Sequence, residues 1–259
     1  MRPNQMLRRL AKMILDVLLM PRGLWLLRQH QKSLPATPQR IIQDLKRYPR
    51  LGPYRLLGAM QVDAELIELI TRVEAMKPRV GLEIGTASGG TLYCWSHLVS
   101  KLLISVDLPG GAFGGGYEFT RERLYKALEG NNPGLSIKFV RGCSAEPETL
   151  KQVAGILGEA RLDFLFIDGD HALKGVTKDL FAYLPFVADG GLVALHDIDA
   201  HKSHPECEVN KLWDRIRSMW NGHDIIVNTN GAHLGIGWFI WRSEFTPSLN
   251  KLRADFEKS

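Results

Sequence analysis

Residues 82–90 read LEIGTASGG, an apolar strand pattern that runs directly into a glycine-rich turn. Glycine allows a sharp turn and a close approach of the backbone to a ligand. The spacing Gly-x-x-x-Gly-Gly lacks the fingerprint of dinucleotide sites, and no Gly-Lys-Ser/Thr follows as in a phosphate loop. Glu83, which stands just before the turn, would also repel a phosphate. The stretch therefore predicts a binding turn for a ligand that need not carry phosphates.

Strand and helix patterns alternate around this turn. The predicted strands comprise residues 80–84, 102–106, 137–140, 162–167 and 192–195. Helices are predicted between and after them at residues 89–99, 119–129, 147–157, 174–186 and 208–220. Two closing strands, at 225–228 and 235–241, are close enough to form a hairpin. Such alternation predicts an α/β, Rossmann-like, doubly wound, mostly parallel seven-stranded sheet with a C-terminal antiparallel hairpin.

The N-terminal segment differs in charge from the rest of the chain. Residues 1–31 hold six basic residues and one acid, Asp16, whereas the remaining 228 residues hold 27 bases and 27 acids. The whole excess of +5 therefore lies in this segment, and no nucleic-acid partner is expected for the main domain. We predict a basic amphipathic helical extension and linker over residues 1–60 and one domain over residues 61–259.

The N-terminal helix leaves two alternatives open. Its apolar residues recur at helical spacing, with Arg8, Arg9, Lys12 and Asp16 on the other face. The segment is too short and too charged to span a bilayer, and it lacks the features of a secretory signal. The helix could pack on the body or on a second subunit of a homo-oligomer. Alternatively, residues 1–30 could lie on an anionic membrane surface with Trp25 at the interface.

Polar side chains follow most of the predicted parallel strands. Asp107 follows the second strand, and Ser144 lies in the turn GCSAE after the third. The fourth strand ends in DGDH, residues 168–171, and the fifth in HDID, residues 196–199. In a sheet of this kind ligands bind beyond the carboxyl ends of the strands. We therefore expect these side chains to surround one crevice.

Three blocks together resemble class I S-adenosylmethionine-dependent methyltransferases. They are LEIGTASGG at 82–90, FIDGDHALKGVTKDL at 166–180 and DGGLVALHDI at 189–198. The chain looks most similar to the small-molecule and sugar O-methyltransferase branch, which is family 24-like and related to the cephalosporin hydroxylase family. The resemblance covers roughly residues 60–242.

This resemblance implies S-adenosylmethionine as cofactor and assigns residues to it. The glycine turn would hold the methionine part, with Asp107 on the ribose and Ser144 near the adenine. A positively charged cofactor would explain Glu83, an acid that a phosphate site would avoid. The implied cofactor-binding residues are Glu83, Gly85, Thr86, Ala87, Gly89, Asp107, Ser144 and Asp168.

The resemblance also suggests the residues that act on the acceptor. Asp170 matches the acid proposed as general base in similar sugar O-methyltransferases, and His171 is its rival because imidazole titrates near neutrality. His171 could instead cap the following helix or bond to Asp197. Asp168, His196 and Asp197 form a metal hypothesis, in which the imidazole favours Mn or Fe over Mg. A zinc site built from the polar residues 196–207 does not match the usual ligand spacing.

The expected acceptor is a sugar, a glycan or another polar small molecule. Residues 110–117, GGAFGGGY, predict a mobile flap over it. A metal-dependent oxidase or hydroxylase on the same scaffold, and an inactive cofactor-binding partner subunit, are the alternatives. We expect a cytoplasmic protein, in contact with the inner membrane face if the N-terminal helix binds lipid.

Overall fold

A computed structural model describes residues 3–51, 54–108, 119–199, 204–227 and 234–257. The predicted flap, residues 110–117, lies outside these residues, as does His201 of the polar stretch 196–207. A seven-stranded sheet forms the centre of the molecule. Its strands are β1 Val80–Ile84, β2 Leu102–Asp107, β3 Ser136–Arg141, β4 Leu162–Ile167, β5 Val187–His196, β6 His223–Ile225 and β7 Ile236–Ile240.

The sheet order is β3-β2-β1-β4-β5-β7-β6. The first five strands in this order are parallel, whereas β7 runs antiparallel to both β5 and β6. This confirms the predicted doubly wound sheet with its C-terminal hairpin. The chain order reverses between β1 and β4, so a crevice opens beyond the carboxyl ends of these two strands.

Nine described helices surround the sheet. They are α1 Pro3–Gln31, α2 Pro38–Leu45, α3 Asp63–Met76, α4 Gly90–Leu98, α5 Phe119–Ala127, α6 Pro147–Leu157, α7 Leu173–Tyr183, α8 Val209–Arg217 and α9 Thr246–Glu257. Helix α9 follows the final hairpin and was not predicted. Helix α2 lies within the predicted extension and linker of residues 1–60, where Thr37 caps its N-terminus and Pro38 is its first residue.

Hydrophobic clusters cover both faces of the sheet. Successive residues of a strand point to opposite faces. Phe164 and Phe166 of β4 accordingly join one cluster, together with Trp95 of α4. Leu165 and Ile167 join the other, together with residues of α7 and α8. Burial on both faces explains why these strands read as continuous apolar runs.

Helix α1 packs on α5 through a stripe that includes Asp16 and Leu27, both fully or almost fully buried. Arg121 Nε and Thr120 Oγ1 of α5 each donate to the Asp16 carboxylate at 2.8 Å. Tyr54, in a short hairpin of Arg50–Leu51 with Tyr54–Arg55, also donates to it. Asp16 thus anchors the helix from inside. Among the described residues, no helix is both long and apolar enough to cross a membrane.

Candidate functional site

The glycine turn brings three strands together at Gly85. Its φ of +90° is a conformation that L side chains rarely adopt. A Cβ here would lie 1.9 Å from the backbone oxygen of Asp168 at the end of β4. The Gly85 amide also donates to Val106 O of β2 at 2.9 Å. A side chain at this position would therefore push the ends of β1 and β4 apart.

The next two glycines make room for neighbouring elements. Gly89 has φ +71°, and a Cβ there would lie 2.5 Å from the ring of Tyr125 on α5. A Cβ on Gly90 would lie 2.1 Å from the amide nitrogen of Ala59. The turn is thus held from outside by α5 and by the loop before α3. The structure places Gly89 against Tyr125, and its approach to a cofactor stays a prediction.

A cavity of about 270 Å³ lies beyond the carboxyl ends of the strands. Predicted site residues that line it are Gly85, Ala87, Asp107, Ser144, Asp168, Asp170 and His171. Glu83, Thr86, Gly89, His196 and Asp197 are not among the described residues that line it. Met60 and Leu108, which sequence reasoning missed, complete part of the wall. Hydrophobic side chains on loops carried no motif by which they could have been found.

Asp107 is fixed at the end of β2 by the glycine turn. Its Oδ2 accepts from the Ala87 amide at 2.9 Å, and its Oδ1 accepts from the Leu108 amide at 2.8 Å. The side chain is 8% exposed and lines the cavity. A carboxylate oxygen can accept more than one hydrogen bond, so these two bonds do not prevent Asp107 from accepting further bonds from ligand hydroxyls.

Ser144 is linked to an acid that the sequence did not reveal. Its hydroxyl donates to Asp179 Oδ1 on α7 at 2.5 Å, and Tyr183 OH donates to the Ser144 carbonyl at 2.9 Å. Burial raises the pKa of Asp179 to about 6. Asp179 therefore joins α7 to the loop after β3. An acid in a helix is ordinarily solvent-exposed, so the sequence around Asp179 did not indicate that this residue is buried beside Ser144.

Glu83 is buried beneath the glycine turn. Its side chain is fully inaccessible, and burial raises its pKa to about 8. The hydroxyls of Thr86 and Thr91 lower this pKa only in part. In the described part of the chain neither carboxylate oxygen has a partner with hydrogen-bond geometry. Such a carboxyl is costly to bury, which suggests a use other than stability.

Two histidines and two aspartates form a compact cluster at the ends of β4 and β5. His196 Nδ1 lies 3.1 Å from Asp168 Oδ1 and 3.3 Å from Asp197 Oδ1. His171 bridges the same acids, with Nε2 3.6 Å from Asp168 Oδ1 and Nδ1 3.4 Å from Asp197 Oδ2. Gln61, from the loop before α3, donates to Asp168 Oδ2 at 2.6 Å. The contact between His171 and Asp197 is the alternative that the sequence left open.

The charges in this cluster stabilise one another. Burial would lower the pKa of His196, but the charge of Asp168 and bonds to Asp168 and Asp197 raise it above its usual range. Burial would likewise raise the pKa of Asp168, yet the charge of His196 and a bond to His171 hold it below its usual range. The pKa of His171 is raised in the same way by Asp168, against the effect of burial. The cluster thus favours the ionised form of Asp168 and the protonated forms of His171 and His196.

The same cluster offers ligands for a cation. Asp168, His196 and Asp197 present ligand atoms within 4.8 Å of one another, as do His171, Asp197 and Cys207. The first set is the predicted one. Cys207, from the loop after β5, belongs to the second set, whereas His204 of the same loop is exposed and contacts Glu206. Each set contains one imidazole, and the second also contains a thiol; these donors suit a transition metal better than magnesium.

Asp170 is the exposed acid of the cavity wall. Its Oδ1 accepts from the Ala172 amide at 3.0 Å, which fixes the turn before α7. A Cβ on Gly175 would lie 2.1 Å from Asp170 Oδ2, so glycine makes room for this carboxylate. His171 differs, because both of its ring nitrogens face carboxylates.

A larger groove of about 960 Å³ lies elsewhere, between α7, α8 and α9. Lys174, Lys178, Arg215 and Arg253 line it, with Phe181 and Phe256 among the aromatic residues. None of the acids that end the parallel strands lines it among the described residues. The smaller cavity is therefore the candidate active site.

The strand order, the glycine turn and the acids at the strand ends define a class I methyltransferase fold. Residues 82–198 match the family model described as "Methyltransferase domain". This match confirms the predicted resemblance to methyltransferases over this part of the chain. No curated protein sequence matches the chain significantly.

Solved O-methyltransferases share this fold. An O-methyltransferase from Bacillus cereus, crystallised with S-adenosylhomocysteine, superposes with a TM-score of 0.53 at 12% identity, covering 83% of this chain and 96% of its own. TomG from Streptomyces achromogenes, crystallised with S-adenosylmethionine, superposes with a TM-score of 0.51 at 13% identity, covering 83% of this chain and 95% of its own. A putative O-methyltransferase from Klebsiella pneumoniae superposes with a TM-score of 0.50 at 14% identity, covering 82% of this chain and 93% of its own. At such low identities these likenesses establish the fold.

Proposed function

We propose that the chain is an S-adenosylmethionine-dependent O-methyltransferase that acts on a sugar, a glycan or another polar small molecule. The observation that carries the proposal is the juxtaposition of the Gly85 turn and Asp107 around one cavity in a methyltransferase domain. Similarly folded O-methyltransferases that were crystallised with this cofactor or its product support it. When bound, the cofactor supplies an electrophilic methyl group on a sulfonium.

The cofactor roles follow from the residues that meet at the turn. Gly85 lets the backbone of β1 approach the methionine part, and the carboxyl of Glu83 is buried behind the turn, where a positively charged cofactor would favour its ionised form. Asp107, held by two backbone amides in the cavity wall, accepts hydrogen bonds from the ribose hydroxyls. Ser144 lines the adenine end and is held by Asp179.

Asp170 is the proposed general base. Methyl transfer forms a bond from the acceptor oxygen to the methyl carbon and breaks the carbon–sulfur bond, and the acceptor proton must leave. Asp170 is exposed in the cavity wall and is held in place by one oxygen, so its carboxylate can receive that proton. His171 would first have to give up a contact with Asp168 or Asp197. Its proposed role is to orient this wall of the site.

A metal at Asp168, His196 and Asp197 is a further element of the proposal. The donor set fits a cation, since three ligand atoms converge and His196 Nε2 has no partner in the described chain. A bound cation would lower the pKa of the acceptor hydroxyl. The imidazole favours manganese or iron over magnesium. Iron bound there would also be the starting point for the alternative oxidase activity.

Calorimetric titration with S-adenosylmethionine tests the cofactor assignment. Asp107→Ala should raise Kd at least about tenfold, because hydrogen bonds to a charged group are lost. Asp255→Ala, an exposed acid on α9, is the matched control and should leave Kd unchanged. A folded wild-type protein that binds neither S-adenosylmethionine nor its demethylated product would overturn the proposal.

Turnover measurements then test the base. With a sugar acceptor found by screening, Asp170→Asn should lower kcat by about 10²–10⁴-fold with cofactor affinity retained. His171→Gln should have a smaller effect on kcat. If Asp170→Asn turns over normally, Asp170 is not the base. If product forms only with iron and oxygen, and the cofactor is not consumed, the oxidase alternative is correct.

A further inference from the structure

Helix α1 carries an exposed apolar stripe that the packing of the domain does not use. It consists of Leu10, Met13, Ile14, Val17, Leu18 and Trp25, which are 36% to 67% exposed. They recur at three- and four-residue spacing and so share one face of the helix. Six large apolar side chains on one helical face form an unusually large exposed patch, which marks an interaction surface.

The opposite side of α1 is occupied by the protein itself. Asp16, Met20 and Leu27 are buried against the body. The interior contacts of Asp16 with Arg121 and Thr120 fix this orientation of the helix. The apolar stripe therefore cannot turn inward without breaking a buried ion pair.

From residue 10 onward, where the structure describes its side chains, the exposed charged residues of α1 are all basic. Asp16 is the single acid in residues 1–31, and its carboxylate is buried in contacts with α5 and Tyr54. Arg22 and Arg28 are exposed on α1, and the sequence before residue 10 adds Arg2, Arg8 and Arg9. The exposed side of α1 from residue 10 onward thus combines apolar and basic side chains, and its one acid, Asp16, is buried.

We propose that this face of α1 docks the protein on the surface of an anionic phospholipid bilayer. The apolar stripe enters the boundary of the acyl chains, with Trp25 at the interface, while the arginines meet lipid phosphates. A second copy of the chain is a poorer occupant, because residues 1–31 hold no further acid to pair with the arginines of the other copy. A lipid surface supplies both the apolar phase and the negative charge.

Vesicle co-sedimentation of the full-length chain tests this docking. The probes are phosphatidylcholine vesicles with and without phosphatidylglycerol. Wild type should bind the anionic vesicles, and the double variant Val17→Asp/Leu18→Asp should bind them at least about tenfold more weakly, because apolar burial is lost. Arg22→Gln/Arg28→Gln should weaken binding to anionic vesicles by roughly ten- to thirtyfold and reduce the preference for anionic lipid, while the other bases of residues 1–31 remain.

The matched control removes apolar surface elsewhere. Met76→Asp/Met219→Asp also places charges at two exposed apolar positions, outside α1. This variant should bind vesicles like wild type, and circular dichroism confirms that each variant is folded. Trp25 offers a second readout, because its emission should shift to the blue with anionic vesicles and Trp25→Phe should remove that shift.

Three results would overturn the proposal. The first is a folded wild-type chain that does not bind anionic vesicles. The second is equal binding by wild type and Val17→Asp/Leu18→Asp. The third is a stable dimer in sedimentation velocity without lipid that the same double variant dissociates, which would assign the stripe to a second copy.

Discussion

Replacing the buried Glu83 by glutamine should stabilise the protein at alkaline pH. Burial raises the pKa of this carboxyl from its usual 4.5 to about 8 in the folded state. The folded state therefore holds a proton that the unfolded state has released between these two values. The stability of the wild type accordingly falls as the pH rises through this window, and Glu83→Gln removes that loss because the amide does not titrate.

The size of the effect follows from the pKa difference. A difference of this size corresponds to about 5 kcal/mol of unfolding free energy at most. Since relaxation around a buried charge reduces such values, we expect a gain of about 2–5 kcal/mol at about pH 9 compared with about pH 5. Glutamine has nearly the same shape, so changes in packing contribute little to the difference.

Urea denaturation of both proteins at the two pH values measures this gain. At each pH, the free energy of unfolding of the wild type is subtracted from that of Glu83→Gln. The change in this difference between the two pH values reports on Glu83, because the contributions of the other titrating groups cancel. Glu68→Gln, at an exposed site on α3, is the matched control and should show no such change. If Glu83→Gln follows the wild type across the whole range, Glu83 does not hold a proton in the fold.

Two further changes test the geometry. Gly85→Ala should lower the free energy of unfolding by about 4 kcal/mol or more in urea denaturation, because its Cβ would collide with the Asp168 backbone. Gly158 also has a positive φ but has open space around it, so Gly158→Ala is the control and should cost about 1–2 kcal/mol. Equal costs would show that φ alone matters. Asp16→Ala should cost about 3–5 kcal/mol by leaving Arg121 buried without its carboxylate, and Arg121→Met in that background should recover part of the loss. A cost under about 1 kcal/mol would mean that this ion pair does not anchor α1.

Much of the fold could be predicted because its signals are local. Apolar runs bounded by glycines and acids placed the five parallel strands, and Gly-x-x-x-Gly-Gly placed the turn. The end of the chain was harder. Strand β6 is only His223–Ile225, offset from the predicted 225–228, and Glu65 of α3 accepts from the Val227 and Gly235 amides beside it. A distant buried carboxylate that ties down a hairpin leaves no mark in the local pattern.

The orientation of α1 shows what periodicity alone cannot decide. In the sequence, Asp16 lies on the face of the helix opposite the apolar stripe. Such a pattern ordinarily indicates that the apolar face packs against the protein and the charged face is exposed. The structure does the reverse, because Arg121 and Tyr54 provide a buried partner set for that one acid. These partners lie 38 and 105 residues away from Asp16 along the chain, so they are known only once the chain is folded. Gln61 and Asp179 were missed for the same reason, since each matters through a contact distant in sequence.

The cluster of Asp168, Asp197, His171 and His196 can balance its charge in two ways. Two carboxylates facing two imidazoles are neutral when both rings are protonated, and one divalent cation would supply the same charge. A cation bound by His196 must displace a proton from a ring whose pKa is raised by Asp168. Manganese affinity, measured by calorimetry, should therefore rise from about pH 6 to about pH 9, with protons released on binding. A pH-independent affinity would mean that manganese does not bind through His196.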